Sequence, residues 1–261
     1  MSAPIARPPL LDVSGLRVTY GGVVAVSDVD LRVAEGTIYG LIGPNGAGKT
    51  SLVDALTGYT RPAAGRIVFD GRDIGGLRPY RRARLGLART FQSVELFDDL
   101  TVEENLLVAS EQVTVASALR DLVLPQRARD RASVDWAISV CGLGDVAARY
   151  PSEISLGRRK LAGIGRALAR QPRLVLLDEP AAGLDTDESL ELGRQLRALP
   201  REHGVTVLLI DHDMGLVLSV CDQLMVLDFG RQIAAGTPAE IRDNPRVIEA
   251  YLGGHHAGTG R

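Results

Sequence analysis

Residues 43–50, GPNGAGKT, with Ser51 following, constrain this chain more than any other feature. They fit G-x-x-x-x-G-K-[ST], with Gly43, Gly48, Lys49 and Thr50 in the fixed places and Pro44, Asn45, Gly46 and Ala47 between them. A triphosphate carries its charge on closely spaced oxygens, so holding it takes many donors converging on one small volume. Glycines let successive backbone N–H groups turn inward with no Cβ in the way. A helix that follows adds its free N-terminal N–H groups and positive dipole end. Lys49 is expected to reach the β/γ-phosphates, and the Thr50 hydroxyl to hold Mg²⁺. The flanks agree: residues 37–42, TIYGLI, suit a buried strand, and residues 51–56, SLVDAL, read as a helix that Gly58 stops. Lys49 and Lys160 are the only lysines in the chain. A compact ammonium suits a point charge on phosphate better than a planar guanidinium does. The stretch reads as a nucleoside triphosphate site.

Composition narrows the setting. The 261 residues suffice for a large core, and 45% hydrophobic with 24% charged residues is ordinary for a soluble globular protein. A formal net charge of −2 gives no electrostatic reason to expect a nucleic-acid partner. No apolar run reaches the roughly 18 residues of a membrane-spanning helix. The opening MSAPIARPP lacks the apolar stretch of a secretory signal and is expected to be a loose tail. Cys141 and Cys221 have no metal-type spacing and read as reduced thiols of a cytoplasmic protein.

Along the chain, residues 10–33 alternate apolar and polar, interrupted at Gly21-Gly22, which predicts an antiparallel hairpin. Residues 65–69 are expected to join it as a third strand, and residues 79–84 form a short basic helix. From residue 101 to about 170 the texture turns helical. TVEE at 101–104 is a capping-box pattern, residues 127–131 are basic and solvated, residues 134–140 are amphipathic, and residues 155–169 place Leu161, Ile164 and Leu168 on one side. Apolar strands then return at 174–177, 205–210 and 224–227, separated by helices at 187–202 and 214–220. Alternating apolar strands and helices imply a parallel sheet covered on both faces. Residues 237–252 carry two short helices around Pro245. His255 and His256 lie in a Gly-rich tail with no further ligand near in sequence.

Residues 174–180, LVLLDEP, are an apolar strand ending in two carboxylates. Asp178 can bind the Mg²⁺ that bridges β- and γ-oxygens, and Glu179 lies where it can polarise an attacking water. At this point the chain resembles the ATP-binding subunit of an ATP-binding-cassette (ABC) transporter, over essentially its whole length. The resemblance implies that Tyr20 stacks on adenine, that Gln92 touches Mg²⁺ and the attacking water and senses the permease, and that His212 contacts the γ-phosphate. Residues 181–185, AAGLD, with Asp185, look like the loop through which two subunits meet. The family's usual L-S-G-G-Q segment stands here as ISLGR over 154–158. Ser155 and Gly157 are kept, a hydroxyl and an N–H at a helix head suited to the partner's ATP. Leu156 replaces the first Gly and Arg158 the Gln.

The resemblance implies an α/β fold: a P-loop NTPase core with a mainly parallel sheet, an antiparallel β subdomain and an inserted α-helical subdomain. Residues 10–92 and 171–236 would form the core with its β subdomain, 93–170 the helical part and 237–253 a C-terminal extension. Residues 1–9 and 254–261 would be tails. Two cassettes would meet head to tail around two ATP and Mg²⁺, against two transmembrane permease subunits at the inner face of a bacterial membrane, with an external binding protein supplying substrate. RTFQSVELF at 89–97, TVEENLLV at 101–108 and GTPAEIRDNP at 236–245 are similar to the larger ATPase subunit of branched-chain amino acid importers. Leu96, Phe97 and Leu100 would meet the permease. Urea or amide importers, lipid or lipopolysaccharide exporters and soluble cassette proteins of DNA repair or translation share parts of the pattern. A P-loop kinase or GTPase lacks the counterpart of residues 155–158 and of His212.

Overall fold

The computed structural model describes residues 9–90, 96–110 and 127–253. Gln92, the tail at 1–8 and His255-His256 lie outside the described residues. In chain order the elements are β1 (Leu11–Tyr20), β2 (Val23–Val33), β3 (Ile38–Ile42), α1 (Lys49–Thr57), β4 (Ala64–Phe69), β5 (Arg72–Asp73), α2 (Pro79–Arg84), β6 (Leu87–Arg89) and α3 (Val102–Ser110). There follow α4 (Arg127–Val140), α5 (Leu156–Leu168), β7 (Leu174–Asp178), α6 (Thr186–His203), β8 (Thr206–Ile210), α7 (Met214–Val220), β9 (Gln223–Asp228), β10 (Arg231–Gly236), α8 (Pro238–Arg242) and α9 (Pro245–Gly253).

Two sheets result. The smaller, β2-β1-β4-β5, is antiparallel, with the expected hairpin and third strand in place. The larger runs β10-β9-β3-β8-β7-β6, all parallel except the edge strand β10. The strand interiors are apolar throughout because successive side chains enter opposite cores. Ile38, Ile42, Val175, Leu177, Val207 and Leu209 face the helices, in one buried cluster with Leu106, Leu161 and Leu196. Tyr39, Leu41, Leu174, Leu176, Leu208 and Ile210 face the other way, onto Leu52 and Leu56 of α1 and onto Val18 and Ile67 of the antiparallel sheet. The helical segment shares its buried cluster with the sheet face it covers. No helix among the described residues is long and apolar enough to cross a membrane.

Local chemistry sets the helix starts. The Thr101 N–H and hydroxyl donate to Glu104 Oε2 at 2.8 and 2.9 Å, and the Glu104 N–H donates to Thr101 Oγ1 at 3.2 Å, closing the expected box ahead of α3. Thr237 and Glu240 repeat the device at α8. The basic stretch 127–131 opens α4, where exposed Arg131 pairs with Glu103.

Short strands β5 and β6 carry no sequence mark of their own, and two further features are equally unannounced. One is β10, which pairs with β9 through a turn at Phe229-Gly230. The other is Arg82, a charged residue with 1% exposure. Its Nη1 donates to Ala55 O and Leu56 O, both at 2.7 Å, its Nε to Leu77 O at 3.0 Å and its Nη2 to Gly75 O at 3.1 Å. The carbonyls of Ala55 and Leu56 belong to the last turn of α1, which lacks intrahelical partners and carries the negative dipole end. Arg82 thus fastens the far end of the helix that begins at the phosphate loop. Burial pushes its pKa down to about 10.

Candidate active site

Strand register brings the candidate residues to one edge of the parallel sheet. Leu41 of β3 and Asp178 of β7 are both partners of Ile210 on β8, so the segments leaving β3, β7 and β8 emerge side by side. This is the crevice beyond the carboxyl ends of parallel strands where α/β proteins bind ligands. The segments supply Gly43 to the phosphate loop, the Asp178-Glu179 pair, and Asp211-His212.

The phosphate loop needs its glycines for stated reasons. A Cβ on Gly43 would lie 2.1 Å from Leu227 O, and one on Gly48 would lie 2.4 Å from Ala25 O, with φ at +151° and +97°. The Gly230 N–H donates to Ala47 O at 2.9 Å, so the β9–β10 turn supports the loop from behind. Asn45, Gly46 and Thr50 are exposed, while Pro44, Gly48, Lys49 and Ser51 are half-buried and Ala47 is buried. Lys49 Nζ donates to Gly43 O at 2.6 Å and Pro44 O at 3.0 Å, curled over its own loop. Burial lowers its pKa, and Glu179 and Asp178 oppose that effect.

Glu179 takes up a left-handed backbone conformation, φ 48°, uncommon for a residue with a side chain. Its N–H donates to Ile210 O at 2.7 Å, so the β7–β8 edge holds it there. Strain of this kind costs on the order of 1–3 kcal/mol and collects at functional sites. Glu179 Oε1 is 3.9 Å from His212 Nδ1. Lys160 Nζ donates to Glu179 O at 3.3 Å, so the chain's two lysines both act on this carboxylate's surroundings.

Asp211, a residue no sequence motif marks, organises the neighbourhood. Its side chain has no exposed surface. Oδ2 accepts from the Ala181 N–H at 3.0 Å, and Oδ1 from the N–H groups of His212 at 2.8 Å and Asp213 at 3.0 Å. It thereby ties the segment leading to Asp185 to the segment carrying His212. Asp185 is exposed and caps α6, accepting from the Glu188 N–H at 2.8 Å.

Tyr20 is 48% exposed at the end of β1, with its hydroxyl 3.2 Å from Thr60 Oγ1. Ser155 is exposed and caps α5, accepting from the Arg158 N–H at 3.3 Å. The Gly157 N–H, expected to be free for phosphate, donates to Glu188 Oε1 at 3.0 Å. Arg158, in the place of the family's Gln, donates to Gly142 O and lies 3.3 Å from Asp145 Oδ2, tying α5 to the end of α4. At the other end of the chain, Tyr251 of α9 packs against the helix-facing core, and burial of its hydroxyl pushes its pKa up.

No group of three or more His, Cys, Asp or Glu side chains that could cage a metal occurs among the described residues. One carboxylate, Asp178, and one hydroxyl, Thr50, are hard oxygen donors of the kind Mg²⁺ takes when phosphates complete its shell.

A strand–loop–helix phosphate cradle, a strained carboxylate at the end of the neighbouring strand and a histidine beside it define a nucleotide-hydrolysing P-loop protein. Residues 26–182 match the ABC transporter family, residues 231–257 match the branched-chain amino acid ATP-binding cassette transporter family, and the chain belongs to the ABC transporter ATPases. It is 43% identical to the high-affinity branched-chain amino acid transport ATP-binding protein BraF of Pseudomonas aeruginosa, over 94% of this chain and 98% of that one. Against LivG of Escherichia coli K12 the identity is 42% with the same coverage. The lipopolysaccharide export ATP-binding protein LptB of Acidithiobacillus ferridurans is 36% identical, over 94% and 97%. Among solved structures, the ADP conformation of MJ1267, an ATP-binding cassette of an ABC transporter, superposes with a TM-score of 0.82 at 29% identity, over 94% of this chain and 99% of that one.

Proposed function

We propose that this chain is the ATP-hydrolysing subunit of an importer for branched-chain or similar hydrophobic amino acids. The observation that carries the chemistry is the meeting of Glu179 and His212, 3.9 Å apart, at strand ends level with the phosphate loop. The likeness to BraF and LivG supports the substrate class.

ATP lies with its adenine on Tyr20 and its phosphates in the cradle of residues 43–51. Lys49 leaves the Gly43 and Pro44 carbonyls for the β/γ-oxygens, an exchange of neutral acceptors for charged ones. Thr50, Asp178 and Gln92 would hold Mg²⁺, which would supply positive charge against the phosphates. Glu179 accepts a proton from the attacking water, and His212 donates to the γ-phosphate as charge builds on it. Ser155 and Gly157 of a second cassette close the site in a head-to-tail dimer, the Gly157 N–H being released by Glu188. Asp185 lies at that contact. ATP thereby links the cassettes, and hydrolysis removes the link.

A cleft of about 920 Å³ beside Asp178 and Glu179 is lined by Tyr59, Tyr80, Arg78, Arg166 and Arg170 among others. In this reading the cleft takes a cytoplasmic helix of one of two permease subunits, the chain works at the inner face of the cell membrane, and an external binding protein supplies substrate. Phe97 is 46% exposed under Arg166, which lines this cleft, whereas Leu96 packs inward on the core.

Affinity purification of the tagged chain from gently solubilised native cells, followed by mass spectrometry, checks the assembly. We expect two multi-span permeases and a second cassette. Recovery with only soluble proteins, ribosomes or DNA would overturn it.

A further inference from the structure

Arg89 bridges two carboxylates from the two halves of the nucleotide site. Its Nη1 lies 2.6 Å from Asp54 Oδ1 on α1, and its Nη2 lies 2.9 Å from Asp178 Oδ2 at the end of β7. The three side chains are 10%, 27% and 14% exposed, so water screens the pairs little. Burial pulls the guanidinium pKa down, and the hydrogen bonds to Asp54 and Asp178 outweigh it, so the pKa stands above that of an ordinary arginine. The next residue is tied to the same strand: the Thr90 N–H donates to Leu176 O at 2.9 Å, and Thr90 Oγ1 accepts from the Asp178 N–H at 3.3 Å. Arg89 also lines the large cleft, its guanidinium carbon 6.0 Å from the centre of the Tyr59 ring.

We infer that Arg89 is a positioning residue that holds Asp178 while no divalent cation is bound and passes to Asp54 when the metal arrives with the nucleotide. The inference rests on the proposed role of Asp178 as the Mg²⁺ carboxylate. One oxygen of Asp178 is committed to Arg89, and a guanidinium that close to a divalent cation is repelled by it. A buried arginine that simply lost its partner would be left uncompensated at high cost. Asp54 removes that cost, because the second ion pair is already formed and the shorter of the two. The two-carboxylate arrangement therefore makes the exchange possible, where a single pair would lock. Through Arg89 and Thr90, the charge state of the nucleotide site reaches β6 and the permease-facing cleft.

The test measures the dissociation constant of a fluorescent ATP analogue for the full-length chain, once in EDTA and once in saturating Mg²⁺. The ratio of the two constants is the advantage the metal confers. With Arg89→Ala the ratio is expected to rise by at least about threefold, the scale of coupling between groups in one charge network. With Asp54→Asn, which keeps side-chain size and removes the second carboxylate, it is expected to fall by a similar factor. An arginine serving only the fold would move both constants together and leave the ratio unchanged. An unchanged ratio in either variant, with a native circular dichroism spectrum and a cooperative melt, overturns the inference and leaves the proposed function standing. So does a rise with Asp54→Asn. A ratio of one in the unaltered chain would instead remove the Mg²⁺ role of Asp178, and the inference with it.

Discussion

Glu179→Gln is expected to lower ATP turnover by about 10²–10⁴-fold, the range of a positioned general base, while the affinity for ATP stays within about threefold. The amide keeps the size of the carboxylate and removes its ability to take a proton. The β7–β8 edge fixes the backbone of Glu179 through the hydrogen bond to Ile210 O, so the substitution leaves the strained turn in place. Steady-state phosphate release and binding of a fluorescent analogue, measured on the same preparation, separate the two effects. Equal turnover in both forms would remove the catalytic role from Glu179. Loss of binding as well would mean that the carboxylate serves the phosphate loop rather than the water.

Arg82→Leu carries the largest expected effect on stability, a loss of about 3–5 kcal/mol, the scale of leaving several buried acceptors without a donor. Four carbonyls, at Ala55, Leu56, Gly75 and Leu77, lose their donor together. Leu fills most of the volume, so the loss reports hydrogen bonding more than cavity formation. Arg82→Lys, with one nitrogen in place of three, cannot span the set and is expected to fall between the two. Urea unfolding followed by far-UV circular dichroism measures this through the midpoint at constant slope. A shift worth less than about 1 kcal/mol would mean that the end of α1 finds other partners.

The phosphate-loop motif, the Asp178-Glu179 pair and the apolar strands beside them were legible in the sequence because each depends on residue type at fixed short spacing, whereas the order of those strands in the sheet was not. The alternation of residues 10–33 and the apolar runs at 174–177 and 205–210 gave the two sheets for the same reason. Arg82 and Arg89 were not legible. Their partners lie 26 or 27 residues away for the α1 carbonyls, and 35 and 89 residues away for Asp54 and Asp178. Nothing local marks one arginine among many as buried. Asp211 was hidden similarly, since its role depends on β7 and β8 being neighbours. The edge strand β10, RQIAAG, lacks a β-branched run and forms because β9 offers it an open edge. The Gly157 N–H shows a different limit: spacing identified the donor, and only the packing of α6 revealed that Glu188 already uses it.

The measurement that tests the central claim most directly is transport by the reconstituted complex. Proteoliposomes would hold this chain with its co-purified permeases and second cassette, ATP inside and the external binding protein outside, and uptake of radiolabelled leucine would be followed. Uptake that requires internal ATP and disappears with Glu179→Gln is the predicted result. ATP hydrolysis without leucine uptake, coupled instead to urea entry or to outward movement of a lipid, would contradict the account.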